Sequence, residues 1–142
     1  MSKIVVGVDG SPGSRAALRW AHEEAQLRGA TLVTVMAWQY PMAASLPAFG
    51  AMPAPVDLGE DAAHALQTIL TEEGVSATDE LPITTVVAEG APAPALLTAA
   101  EDAALLVVGS RGHGGFTGLL LGSVSQQCAS HAICPVVVVR GE

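Results

Sequence analysis

The sequence predicts an α/β fold, an open parallel sheet covered by helices on both sides, and three observations predict it. Short β-branched runs alternate with helical stretches along the chain, five strands with four helices between them. The runs are apolar at nearly every position rather than at alternate ones, as in Ile4-Val5-Val6-Gly7-Val8 and Pro135-Val-Val-Val-Val, which marks strands buried on both faces. The chain has 142 residues, too few for a closed eight-stranded barrel of about 250 and matched to one domain over residues 1–142 at about 100 to 200 residues each.

Ile4 to Val8 is the first strand, closed by the turn Asp9-Gly10-Ser11. Ser11 suits the N-cap of the helix that follows and Pro12 its first position, while Gly29 after Arg28 suits its end. Ala17, Trp20, Ala21 and Ala25 recur at spacings of three and four and give this helix one apolar stripe. Thr31 to Ala37 is the second strand. Trp38 to Val56 carries four prolines and neither period, and so long a loop reads as a surface excursion or as a flap over a ligand. A second helix runs from about Asp57 to Glu73, and a third strand from Ile83 to Ala88. A short helix spans Pro92 to about Asp102, and Leu105 to Val108 is the fourth strand. Ser123 to about His131 is the last helix and Val136 to Val139 the last strand.

Composition excludes several classes of function. Half of the chain is hydrophobic and 14% is charged, which promises a full core and excludes disorder. A formal charge of −8 argues against duplex nucleic acid, whose binding rests on Lys and Arg at phosphates. Cys128 and Cys134 fit neither a disulfide framework nor a zinc site, no pair of His has metal spacing, and a reducing compartment is the simplest setting. Ile4 to Val8 is too short for a signal-peptide core, and no stretch reaches the 18 or so apolar residues of a membrane span. The expectation is a soluble cytoplasmic protein.

In an open parallel sheet the ligand sits outside the carboxyl ends of the strands, where the winding direction reverses. The residues after each strand therefore carry the information. Asp9, Gly10 and Ser11 follow the first strand, and a glycine-rich stretch from Gly109 follows the fourth, with Gly122 just before a helix. Glycines let backbone amides approach a ligand, and the first turn of a helix adds free N–H groups and partial positive charge suited to a phosphate. Ser123 and Ser125 add hydroxyls there. No acid lies between Asp102 and Glu142, and Arg111 stands inside the stretch, so an acidic chain leaves one region open to an anion.

The spacing is specific: Gly109, two residues, Gly112, nine residues, Gly122, then Ser123. In this signature, in the opening Val6-Gly7-Val8-Asp9-Gly10-Ser11 and in the closing Pro135 to Val139, the chain resembles the universal stress protein family from end to end. The resemblance implies a Rossmann-like sheet of order 3-2-1-4-5 that binds ATP, with or without Mg2+, at the switch point between strands one and four. Asp9 and Gly7 would then meet the adenosine part. Gly109, Ser110, Arg111, Gly112, His113, Gly114 and Gly115 would wrap ribose and phosphates, and Gly122, Ser123, Val124 and Ser125 would hold the phosphate chain. The adenine would touch backbone at about Met36 and Ala37, which match by place rather than by motif. The residues agree independently on one point, since Asp9 and Gly109 can share a ligand only if strands one and four are neighbours. A flavodoxin-like order, 2-1-3-4-5, would separate them.

Other readings weigh less. Asp9 in a purely capping role competes with Ser11. His113 reads as a solvated loop residue, His22 and His64 as helix-surface residues, His131 as a match to a helix C-terminus, and both thiols as chemically silent. In the order 3-2-1-4-5 the fifth strand is an edge, and an apolar edge invites a second chain, so a homodimer through Val136 to Val139 is expected. The function expected is an ATP-binding regulatory or stress-response module. A slow ATP hydrolase or nucleotidyl transferase is the alternative, held back because phosphoryl transfer needs a cation and an oriented nucleophile, whereas the sole lysine is Lys3. A phospho-accepting receiver would want clustered acids after the first strand, where only Asp9 stands.

Overall fold

The computed structural model describes residues 2–39, 57–110 and 121–141. In chain order these form β1 (Lys3–Gly7), α1 (Pro12–Arg28), β2 (Thr31–Trp38), α2 (Leu58–Glu72), β3 (Ile83–Glu89), α3 (Pro92–Ala99), β4 (Leu105–Gly109), α4 (Ser123–His131) and β5 (Val136–Val139). The strands make one sheet of order β3-β2-β1-β4-β5, parallel throughout. This is the Rossmann-like α/β arrangement, and β1 pairs β4 in register Val5↔Leu106 and Val6↔Val107.

Alternation along each strand builds two cores. Ile4, Val6, Leu32, Met36, Leu105 and Val107 face one side and pack with Leu18 and Ala21 of α1 and Leu66 and Ile69 of α2. Val5, Val33, Val35, Leu106 and Val108 face the other and pack with Leu96 of α3 and Cys128 of α4. Because both faces of β1 and β4 are covered, their side chains are uniformly apolar. Burial pushes the Cys128 thiol up to about 11, which keeps it protonated and inert. Among the described residues no buried side-chain nitrogen or oxygen lacks a hydrogen-bond partner, and no helix is long and apolar enough to cross a membrane.

The helix ends follow their residues. Ser11 Oγ accepts from the Ser14 amide, Pro12 sits in the first turn, and Gly29 closes α1 in the left-handed region at φ 64°. Asp57 Oδ1 accepts from the Glu60 amide and starts α2. The ends of β1, β3 and β4 each shift by one residue from expectation, and two further boundaries differ. Helix α3 stops at Ala99 rather than near Asp102, because the Glu101 and Ala103 amides turn back to Thr98 and Ala100 and tighten the chain for its reversal into β4. Trp38 belongs to β2 opposite Glu89 rather than to the following loop, and its ring lies where a side chain on Gly59 would stand. The rest of that loop, 40–56, lies outside the described residues.

The ends of α1 and α2 are joined by charge. Arg15 reaches Glu72 at 3.0 Å and Glu73 at 3.1 Å, and Arg19 reaches Glu73 at 2.6 Å. Arg19 first, and Arg15 with it, hold the Glu73 carboxyl below the usual glutamate range despite burial. A depressed carboxylate contributes stability that is present above its unfolded value and lost as pH falls through its folded one. Glu73→Gln is therefore expected to lower the urea midpoint at pH 7, and the gap from the parent should close as pH falls below about 4. Urea titrations at pH 7 and pH 3 check this, and an equal gap at both values would contradict it.

Candidate functional site

The site grows from the β1–β4 junction. From β1 the chain winds through α1 to β2 on one side, and from β4 through α4 to β5 on the other, so the reversal of direction lies between them. Register locates the neighbours. Gly7 pairs with Val35, so Asp9, two residues on, stands level with Ala37. Val6 pairs with Val107, so Asp9, three residues on, stands level with Ser110. With strands about 4.8 Å apart, Ala37, Asp9 and Ser110 span a row of about 10 Å across the carboxyl end of the sheet.

Ala37 offers backbone to that row. Val35 C=O accepts from Val8 N–H on the β1 side, and Trp38 C=O accepts from Gly90 N–H on the β3 side. Alternation of a parallel ladder therefore turns the Ala37 N–H and C=O towards β1, at a level where β1 has ended. Met36 points its backbone to β3 and its side chain into the first core.

Asp9 is exposed and held in a ring of short bonds. Its Oδ1 accepts from the Ser11 amide at 2.9 Å and the Ser11 hydroxyl at 2.5 Å, while its own amide donates to Ser14 Oγ at 3.1 Å. Ser11 caps α1, and Asp9 orients the cap. Ser14, in the first turn of α1, completes the ring, and sequence reasoning missed it although Ser-Pro-Gly-Ser at 11–14 is spaced for a second hydroxyl there. Gly10 takes φ 83°, a conformation that needs glycine.

The glycine-rich segment is fastened at its base. Ser110 N–H donates to Val139 C=O at 2.9 Å, and Ser110 C=O accepts from Gly122 N–H at 2.6 Å. Ser125 Oγ, buried, also donates to Ser110 C=O at 3.0 Å or to Gly122 C=O at 3.0 Å. That hydroxyl, expected as a phosphate donor, is engaged with the backbone of Ser110 and Gly122 in this structure. Gly122 has φ −74° and ψ 170°, and no side chain caps α4. The first helical bond runs from Gln126 N–H to Gly122 C=O, so the Ser123, Val124 and Ser125 amides have no partner within the helix. Ser123 is exposed, Val124 is half-buried, and the first turn holds no acid. Arg111, Gly112, His113, Gly114 and Gly115 lie outside the described residues.

Two glycines read as ligand-facing have neighbours of their own. A side chain on Gly109 would stand 2.7 Å from the Gly13 backbone at the start of α1, so the bare backbone of Gly109 lets β4 and α1 touch. A side chain on Gly7 would meet only the end of Leu96, at 2.9 Å, which can move. Gly109→Ala should therefore cost about 1 to 3 kcal/mol and Gly7→Ala clearly less, as urea unfolding of the two variants would report. Among the described residues no group of three or more His, Cys, Asp or Glu is placed to hold a metal.

Comparison with known proteins agrees with this geometry. The sequence model of the universal stress protein family matches residues 1–140. A universal stress protein of Mycolicibacterium smegmatis is 38% identical over 140 residues, 96% of this chain and 45% of its own length. The chain thus spans about half the length of the curated relatives it matches. The crystal structure of a universal stress protein in complex with cAMP superposes with a TM-score of 0.67 at 28% identity, covering 99% of this chain and 98% of the other. That of the Archaeoglobus fulgidus protein in complex with dAMP gives 0.60 at 25%, covering 97% of each. With its family signature, its sheet order and its opening turn in agreement, the chain belongs to the universal stress protein family.

Proposed function

We propose that the chain binds an adenine nucleotide, ATP foremost, at the β1/β4 switch point and acts as a regulatory or stress-response module in the cytoplasm. The observation that carries this reading is the convergence of Ala37, Asp9 and the uncapped start of α4 on one edge of the sheet. Adenine takes the Ala37 backbone and ribose takes Asp9 beside Gly7. Phosphates take the amides of Ser123 and Val124 with the Ser123 hydroxyl, against the bare backbone of Gly122, whose own N–H is held by Ser110 C=O, and the helix dipole favours negative charge there. Gly109, Ser110 and Ser125 hold the base of the segment, and Arg111 to Gly115 belong to the proposed wrap around ribose and phosphates. Mg2+, if it accompanies the nucleotide, is ligated by phosphate oxygens and water. The reading is binding rather than turnover, with slow hydrolysis as its limit, since no described side chain pairs a base with a nucleophile beside α4.

The neighbours in complex with cAMP and dAMP favour a second reading, a monophosphate ligand at the same edge. Calorimetry with ATP, AMP and adenosine separates the two. Tightest binding of ATP is expected, while equal affinity for ATP and adenosine would overturn the phosphate assignment. Gly122 needs no positive φ, so Gly122→Val should keep the parent's circular dichroism and weaken ATP binding more than tenfold by blocking close approach. A folded Gly122→Val that binds like the parent places the ligand elsewhere.

We further propose a homodimer through β5. It ends the sheet, and its four valines are half-buried. Pro135 and Val139 turn their carbonyls to β4, so alternation aims the N–H groups of Val136 and Val138 outward. Val138→Pro removes an outward donor and spares the β4 ladder. Light scattering should find a dimeric parent and a variant shifted towards monomer; a monomeric parent at high micromolar concentration contradicts the pairing.

A further inference from the structure

Arg15 belongs to no motif, yet it touches the site from outside. Its Nε donates to Gly10 C=O at 3.2 Å, one terminal nitrogen donates to Glu73 Oε2 at 3.1 Å, and the other lies 3.0 Å from Glu72 Oε1. Glu73 is nearly buried, with 13% of its side chain exposed, and is held on its second oxygen by Arg19. The guanidinium is thus fixed by two carboxylates at the end of α2 and presents its remaining edge to one carbonyl of the turn.

That carbonyl belongs to the residue with most freedom. Gly10 takes φ 83°, where no side chain restrains it, between Asp9 and Ser11. The Asp9–Ser11–Ser14 ring is local to the turn, whereas the Arg15 fork ties it to an element 58 residues away. We propose that Arg15 is a positioning residue, which holds the Gly10 carbonyl and so transmits the placement of the α2 end, through Glu72 and Glu73, to the turn that presents Asp9. The inference rests on the nucleotide site proposed above for its ligand, and on the contacts of Arg15 for its geometry. A rigid planar fork is what the arrangement uses, since it sets three acceptors in fixed relation; a lysine carries the charge without the fork.

The test uses the full chain with Arg15→Met, Arg15→Lys, Glu73→Gln and the double variant Arg15→Met/Glu73→Gln. Backbone relaxation of the apo proteins reads the turn directly. The Gly10 order parameter is expected to fall from about 0.85 in the parent to below about 0.6 in both Arg15 variants. In calorimetry with ATP, Arg15→Met and Glu73→Gln should each weaken binding by about five- to tenfold, and the double variant should bind no more weakly than Arg15→Met alone, since both changes cut one linkage. A merely stabilising ion pair would move neither Gly10 nor the coupling. The positioning role is overturned if Gly10 stays ordered in Arg15→Met, if ATP affinity is unchanged in spite of a loosened turn, if the two losses add, or if Arg15→Lys restores both readouts. A parent that binds no ATP overturns the nucleotide reading instead, and the Gly10 relaxation then decides the role of Arg15 by itself.

Discussion

Everything at the carboxyl edge of the sheet depends on the pairing of β1 with β4. Val5 opposite Leu106 and Val6 opposite Val107 place side by side two strands whose crossovers leave in opposite directions. The starts of α1 and α4 are thereby brought to the same edge. The packing of β4 on α1 has its own steric condition: Gly109 must carry no side chain, because a methyl there would lie 2.7 Å from the Gly13 backbone. Were that contact opened, β4 and α1 would part, and the row formed by Ala37, Asp9 and Ser110 would lose its spacing.

The two helix starts serve different ends. α1 is closed by its own residues, with Ser11 as cap and Asp9 and Ser14 bonded around it. Its partial charge is met within the protein. α4 begins at a glycine and has no side-chain cap, while Ser110 and Ser125 secure the base of the segment leading into it. A rigid base with unclaimed amides beyond it is what an anion requires, since donors that are already oriented need no reordering when the ligand arrives. The acids of the chain fall almost entirely before residue 103, which leaves this start without competing negative charge.

How much of this was legible follows from the kind of interaction. The strands were legible because burial on both faces demands continuous valine and leucine runs, and Ser11, Pro12 and Gly29 mark α1 through local backbone chemistry. The neighbouring of strands one and four was implied by the family resemblance, and a ligand shared by Asp9 and Gly109 requires the same order. Glycine is ambiguous in a sequence, however: Gly109 reads as room for a ligand, whereas its neighbour is Gly13. Ser125 reads as a free hydroxyl until the carbonyls of Ser110 and Gly122 are found against it. Arg15 and Glu73 are joined across 58 residues, a tertiary pairing with no local signal. The end of α3 depends on the geometry of the return into β4, which no residue at 100–102 announces.

The central claim is that one nucleotide spans from Ala37 through Asp9 to the start of α4. Amide chemical shifts followed during titration with ATP test it most directly, since each of these positions carries its own reporter. The account predicts that the amides of Asp9, Ala37, Gly122, Ser123 and Val124 shift together along one saturation curve, while those of the outer strands β3 and β5 stay nearly still. Saturable shifts confined to β3, β5 or the far ends of the helices would contradict it, as would shifts at Asp9 and Ala37 that leave Ser123 and Val124 unmoved.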